Sequence, residues 1–446
     1  MTWIWRQLHR AYRLLTWLRA TAGRRLTPAG GLVLGSLGYS LFIGFNQANT
    51  VTYQAFPLLL FLCGTAVAAA FFFRMKFSVR RTLPRFGTVG RPLTYRVAVT
   101  NLTAKARSDL TLLEELADAR PSWSEWLALK RAEARSVRSF WPSRSRPAAR
   151  TTARLRPTPL PSLPPGREVE ALVEITPLRR GVLTFTGTML ARPDPFGLFR
   201  ALIRIPLPGR ILVLPRRYPV PSLALPGTVK YQAGGVALAA HVGQSDEFVA
   251  LRDYRHGDPL RHIHWRSWAR TGKPIVKEYE DEFFVRHALV LDTFSDEPAG
   301  ELFEEAVSVA ASFACTIQTQ ESLLDLLFVG TEAFCFTAGR GLAHADQMLE
   351  ILASVQPSRS KTFADLEHLV LNHAGVVSNC ICIFIAWNEE RHRFVEKLRA
   401  TGVPVLVVVV AAKAPARPAN AGLSAGEPEY FHTLVPGDIE AGLQRL

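Results

Sequence analysis

Hydrophobic and polar residues follow three regimes along this chain. The first is the run Leu26–Phe73, which contains no Asp, Glu, Lys or Arg. A helix crosses ~30 Å of hydrocarbon with about 20 residues, so a run of this length has room for two spans. It is interrupted by Asn46, Gln47, Asn49 and Thr50, which are costly at a bilayer centre but suit a turn at its far surface. The pattern predicts one span near Pro28–Phe45 and a second near Tyr53–Phe73. Five glycines (Gly30, Gly31, Gly35, Gly38, Gly44) would let the first approach the second closely. A cleaved signal peptide fits less well, because a long basic segment precedes the run and a second span follows. The flanks set the orientation. Arg6, Arg10, Arg13, Arg19, Arg24 and Arg25 stand before the run, and Arg74, Lys76, Arg80, Arg81 and Arg85 after it. Both ends are therefore expected on the cytoplasmic side of the membrane.

The second regime is alternation. Thr94–Thr100, Leu110–Leu116, Glu168–Ile175, Gly181–Leu190 and Ile203–Pro215 read as short strands punctuated by Gly, Pro and Asn. Residues 77–220 are thus expected to form a β-sandwich-like domain. Residues 141–166, rich in Pro, Arg, Ser and Thr, read as a mobile loop within it. The segment Arg192–Arg200, RPDPFGLFR, reads as a structural corner. The third regime begins near residue 288. Apolar strands (Ala288–Leu291, Leu323–Val329, Cys380–Ala386, Val403–Val410) alternate with helical periods, such as Leu302, Ala306, Val309 and Phe313 within Glu301–Gln318. Strands apolar on both faces belong in a parallel sheet covered by helices. Residues 288–446 are therefore expected to be a doubly wound α/β domain. Residues 1–27, with Trp3, Ile4, Trp5, Leu8, Leu15, Trp17 and Leu18 set among arginines, suggest an interfacial helix with aromatic and basic faces.

Composition modifies this picture in two places. The net charge of +15 is compatible with nucleic-acid binding. Much of the excess lies beside the apolar run and in Arg131–Arg156, where anionic headgroups account for it more simply. The five cysteines are scattered and complete no zinc pattern, so they read as small core residues of a reduced compartment.

The densest chemistry lies in residues 241–287. Ser245–Glu280 reads SDEFVALRDYRHGDPLRHIHWRSWARTGKPIVKEYE. Asp246, Glu247, Asp253 and Asp258 face five arginines, and Phe248, Tyr254, Trp265 and Trp268 supply apolar anchors. Such a set suits an internal charge-assisted network or a face that docks a partner. The candidate partner-binding residues are Asp246, Glu247, Arg252, Tyr254, Asp258, Arg261, Trp265 and Arg270. His256, His262 and His264 lack a pattern that fixes three ligands, and the adjacent arginines would repel a cation.

This stretch resembles the bacterial family called domain of unknown function 58. The residues that carry the resemblance are Ser245–Phe248, Leu251, Arg252, Tyr254, Gly257, Asp258, Arg261, Ile263, Trp265, Ala269, Arg270, Lys277 and Glu278. The DPFGLF corner and the two leading spans extend it. The resemblance implies a von Willebrand factor A-like domain at residues 288–446 and association with MoxR-type AAA+ ATPases. Such domains often hold Mg²⁺ at the strand ends through Asp-x-Ser-x-Ser. Here the strand ends Asp292-Thr293-Phe294-Ser295-Asp296, and no Asp follows the later strand. Only a degenerate site is expected from Asp292, Thr293, Ser295 and Asp296, since Mg²⁺ demands near-octahedral oxygen ligands.

No nucleophile elbow, phosphate loop or dinucleotide fingerprint is present in the sequence. The reading that follows is a membrane-anchored cytoplasmic scaffold that binds lipid and a protein partner, with no small-molecule substrate indicated. Two other readings remain: a metal-dependent enzyme using Asp292 and Asp296, and a basic binder of membrane surfaces or nucleic acid.

Overall fold

The computed structural model describes residues 2–43, 50–71, 73, 75–117, 123, 126–127, 151–221, 232–233, 248–258, 260–279, 283–294, 300–317, 322–339, 342–358, 360–412 and 430–446. The chain divides into two compact units, Met1–Leu214 and Pro215–Leu446. The turn residues Asn46, Gln47 and Asn49, together with Asp246, Glu247, Ser295 and Asp296, lie outside the described residues.

The first unit opens with three helices, α1 (Thr2–Arg25), α2 (Pro28–Ile43) and α3 (Thr50–Phe71). Helix α1 turns its Trp5/His9 side inward. The His9 ring lies 5.4 Å from Trp123 and 5.3 Å from Trp126, and Trp5 meets Trp126 edge-on at 5.9 Å. Its other apolar residues, Trp3, Ile4, Leu8, Leu14, Leu15, Trp17 and Leu18, are exposed. Helices α2 and α3 pack on each other, and their outward side chains are large and apolar. Phe42 is 84% exposed, Leu32 76% and Phe61 74%. Among the described residues no helix is long and apolar enough to cross a membrane. Helix α2 has 16 residues. Helix α3 has 22.

Nine strands follow, β1 (Phe77–Thr82), β2 (Phe86–Thr88), β3 (Leu93–Asn101), β4 (Thr111–Leu116), β5 (Ala153–Leu155), β6 (Thr158–Pro159), β7 (Glu168–Pro177), β8 (Gly181–Pro193) and β9 (Arg200–Leu214). They form two sheets in the orders β1-β3-β7-β5 and β2-β9-β8-β4-β6. One core lies between them, with Val97, Val99, Val173 and Ile175 from the first sheet and Leu112, Phe185, Leu190 and Val213 from the second. Alternation is clear in β1 and β7, which send every second side chain inward, whereas β8 shifts register against β9 between Phe185 and Gly187. The expectation of a mobile loop over 141–166 needs correction where the chain is described. Residues 153–155 pair with β7, residues 158–159 pair with β4, and Leu163 is fully buried. The prolines and arginines concealed a few inward apolar residues, enough to pin short edge strands.

The corner Asp194–Phe199 is a built turn. Asp194 Oδ1 accepts from the backbone N–H of Phe196 at 2.6 Å, and Asp194 Oδ2 accepts from that of Phe199 at 2.5 Å. It also holds the base of α2. Thr27 Oγ1 donates to the carbonyls of Gly197 and Leu198 at 2.6 and 3.0 Å. Gly30 lies so close that a Cβ there would be 2.1 Å from the Leu198 carbonyl oxygen.

The second unit holds a short hairpin arm and a larger sheet. The sheet contains β13 (Phe283–Leu291), β14 (Ser322–Val329), β15 (Ala333–Ala338), β16 (Asn379–Phe384), β17 (Val405–Val410) and β18 (Phe431–Leu434), with the two-residue β10 (Gln232–Ala233) paired to β13. Their order is β15-β14-β13-β16-β17-β18. Neighbours in this order are parallel except β15, which runs antiparallel at the edge beside β14, and the short β10 also runs antiparallel to β13. Strands β14, β16 and β17 are buried at every position, as expected when helices cover both faces. On one face α7 (Phe363–His373) and α8 (Glu389–Ala400) pack Leu366, Val370, Phe394 and Leu398 over Val290, Cys382 and Val407. Helix α5 (Glu301–Thr316) packs on β13, β16 and β17 and on α6 (Leu342–Ser354). The chain ends in the short helix α9 (Ile439–Leu443) beside β18.

Candidate functional site

The charged motif folds as an arm. Strand β11 (Phe248–Asp253) pairs antiparallel with β12 (Ile275–Tyr279), and α4 (Trp265–Thr271) lies in the connection. Gly257 at φ 106° turns the chain out of β11, and Gly272 at φ 70° ends α4 in the left-handed conformation that favours glycine. Ile263 bridges to Val276, and both are buried. These two residues give the arm its small apolar centre.

The sequence-predicted residues separate into groups. Arg252 grips Asp258 through two parallel bonds of 2.7 and 2.8 Å, the fork geometry that makes guanidinium–carboxylate pairs specific. The Arg255 backbone N–H adds a third bond at 2.8 Å. Arg252 and then this amide lower the Asp258 pKa to about 2. Tyr254 joins the turn through its backbone, which donates to the Pro274 carbonyl at 3.0 Å. These residues build the arm.

Trp265 and Trp268 behave differently. One helical turn apart, their rings stack at 5.2 Å with planes 19° from parallel, and Trp265 is 63% exposed. Arg261, Arg266 and Arg270 are exposed in the same stretch. An aromatic shelf among cations is therefore presented to solvent, a composition typical of recognition surfaces. His264 Nδ1 pairs with Ser267 Oγ at 2.6 Å and closes the first turn of α4. Among the described residues no group of three His, Cys, Asp or Glu is placed to hold a metal ion.

The second candidate lies at the carboxyl end of β13. Asp292 and Thr293 are fully buried. Asp292 Oδ1 accepts from the Phe294 backbone at 3.0 Å, and Oδ2 accepts from the Ile385 backbone at 3.4 Å. Arg391, in the first turn of α8, completes the set, since its Nε and Nη2 both lie 2.8 Å from Oδ2. The guanidinium also sits 4.9 Å above the Phe363 ring. Burial raises the Asp292 pKa, and Arg391 opposes that rise. Thr293 Oγ1 donates inward to the Val329 carbonyl. Sequence reasoning named Asp292 and missed Arg391. Its signal is its position, because Arg391, Phe394, Val395 and Leu398 are the buried residues of α8. An arginine in phase with an apolar stripe needs a buried partner.

Comparison with other proteins adds three findings. A solved structure of E. coli alpha-2-macroglobulin in its native conformation is 14% identical and covers 42% of this chain and 8% of its own, with a TM-score of 0.18. At that score the likeness carries no argument. The uncharacterized protein YeaD of Bacillus subtilis (strain 168) is 26% identical over 191 residues, which is 42% of this chain and 46% of YeaD. The match thus spans less than half of that relative. The third finding concerns the arm, Asp292 and Arg391 together: residues 250–415 of this chain match the family model described as protein of unknown function DUF58.

Proposed function

We propose that this protein is a membrane-anchored scaffold that binds a protein partner through its arm, with the second unit a von Willebrand A-like domain. One observation carries the reading: the exposed Trp265, stacked on the half-buried Trp268, among Arg261, Arg266 and Arg270. Exposed aromatic pairs next to arginine are characteristic anchors of docking faces. The cations favour an acidic partner segment. The parallel sheet with one antiparallel edge strand supports the A-like reading of the domain. The family resemblance points to a MoxR-type AAA+ ATPase as the partner. The large apolar side chains presented outward by α1, α2 and α3 support the membrane anchor, for which anionic lipid complements the arginines of α1.

The test uses the full chain in detergent. A purified MoxR-type ATPase from the same cell is titrated against the wild type and against a Trp265→Ala/Trp268→Ala variant. Saturable binding that is lost in the variant, with unchanged melting, supports the scaffold reading. Failure of wild type to bind the ATPase, together with recovery of the tagged protein from solubilised membranes without a stoichiometric partner, overturns it. The anchor is tested separately by alkaline extraction of membranes, and release of the protein into the supernatant overturns that part.

A further inference from the structure

The A-like reading, on which this inference rests, implies a divalent cation beyond the carboxyl end of β13, held by oxygens that a partner's carboxylate completes. The residues described at that strand end do not fit one. Mg²⁺ takes six oxygens in a near-octahedral array. Both Asp292 oxygens are already engaged, by two backbone amides and by the Arg391 side chain. Thr293 turns its hydroxyl inward to the Val329 carbonyl. The next position holds Phe294, whose ring meets Phe363 edge-on at 6.0 Å. On the facing loop, Ile385 offers an amide, Trp387 packs against Phe384, and Asn388 Oδ1 accepts from the Arg391 backbone at 3.2 Å as the cap of α8.

We infer that Arg391 stands permanently in the place of the cation, so that this strand end takes up no divalent metal and partner docking runs without a metal bridge. The placement of Arg391 is informative in itself. A cation in the first turn of a helix opposes the helix dipole, so the position is favourable only through what the guanidinium meets. It meets a fully buried carboxylate on one side and the face of Phe363 on the other. A guanidinium is always charged and, unlike a bound metal, cannot dissociate. The carboxylate is therefore neutralised from within the chain. Docking should then depend on salt, through the arginines of the arm, and be indifferent to chelators.

The test is thermal unfolding of the full chain in detergent, with EDTA, with Mg²⁺ and with Mn²⁺, alongside Mn²⁺ binding followed by electron paramagnetic resonance. The wild type is expected to melt at one temperature in all three conditions and to retain no Mn²⁺. Arg391→Met is expected to lower Tm by about 10 °C, because a buried charge loses its partner. Adding Asp292→Asn to it should restore a large part of that loss. A saturable rise of the wild-type Tm with Mg²⁺ or Mn²⁺ that disappears in the Asp292→Asn/Arg391→Met protein would overturn the inference. If Arg391→Met does not fold, the wild-type titration and Mn²⁺ binding still decide it. No partner enters these measurements, so their outcome is independent of whether the scaffold reading stands.

Discussion

Each unit of the molecule carries an ion pair out of water, and the two pairs are finished to different degrees. In the sandwich, Arg81 Nε lies 3.5 Å from Glu114 Oε1, with the two side chains 2% and 1% exposed. Arg81 Nη2 donates to the Leu207 carbonyl at 2.6 Å and to Thr188 Oγ1 at 3.4 Å. The guanidinium covers the Phe185 ring at 4.5 Å. Its Nε and Nη1 have no hydrogen-bond partner among the described residues. In the α/β domain, Asp292 and Arg391 meet at 2.8 Å, and each oxygen of the carboxylate also accepts from a backbone amide. A buried charge is tolerable when its partner and its remaining hydrogen bonds are all supplied. By that measure the strand-end pair is the better satisfied of the two and the sandwich pair the worse. The first is placed by the start of a helix and the end of a strand, where free amides are available. The second is placed by strands whose amides already belong to ladders.

The largest effect should separate the pairs directly. Removing Arg391 as Arg391→Met leaves Asp292 buried and unpaired, at a cost of about 3–5 kcal/mol. Removing Arg81 as Arg81→Met also relieves its own unpaired donors, so the net loss should be about 1–3 kcal/mol. Denaturant unfolding of the full chain, followed separately for each unit, measures both. Equal losses would break the comparison. A smaller effect concerns replacement of both partners. Arg81→Met with Glu114→Leu should fall within about 1 kcal/mol of the wild type or stabilise it, since apolar residues of similar volume suit a poorly satisfied buried pair.

The pH dependence sharpens the contrast further. Burial raises the Glu114 pKa above its ordinary 4.5. The folded state therefore holds that proton more tightly than the unfolded state. The contribution of Glu114 to stability declines as pH rises from about 4.5 toward the raised value. Glu114→Gln should flatten the stability profile over that window, as read by unfolding midpoints on either side of it. Asp258 on the arm has the opposite sign. Its pKa is lowered from 3.8 to about 2, so its contribution is present above 3.8 and lost as pH falls toward 2. This should be the smallest effect. Asp258→Asn should speed hydrogen exchange in the arm at neutral pH, with a difference that shrinks as pH falls toward about 2. A difference that did not shrink would assign the lowered pKa to another partner.

Both buried pairs leave a trace in the sequence. In β1 the inward residues are Phe77, Val79 and Arg81, two apart, and in β4 Leu112 and Glu114 share the inward side. Arg391 falls in step with Phe394, Val395 and Leu398 on α8. In each case a charged residue keeps the apolar period of its element, which is a readable sign that it is buried. The identity of the partner is not readable, because Arg81 with Glu114, and Asp292 with Arg391, are brought together by strand order and crossovers. The elements themselves were largely legible. The expected strands and helices from Ala288 onward each coincide with an element, with boundaries moved by a few residues. The stacking of Trp265 on Trp268 follows from their helical spacing. The bidentate closure of Arg252 on Asp258 depends on a turn at Gly257, whose geometry periodicity does not encode. The short strands at 153–159 were hidden because their prolines and arginines outnumber the few side chains that point inward.

The contact between Gly30 and the Leu198 carbonyl bears on mechanics. A helix pair joined to its domain by a linker would let the domain sweep a wide volume beneath the bilayer. Here the first turn of α2 is pressed onto the sandwich at a distance only glycine permits, and Thr27 is bonded across the same junction. With α2 held in a membrane as proposed, the sandwich behaves as a bracket fixed in angle and height, so that force applied to it would reach the lipid-embedded helices with little slack.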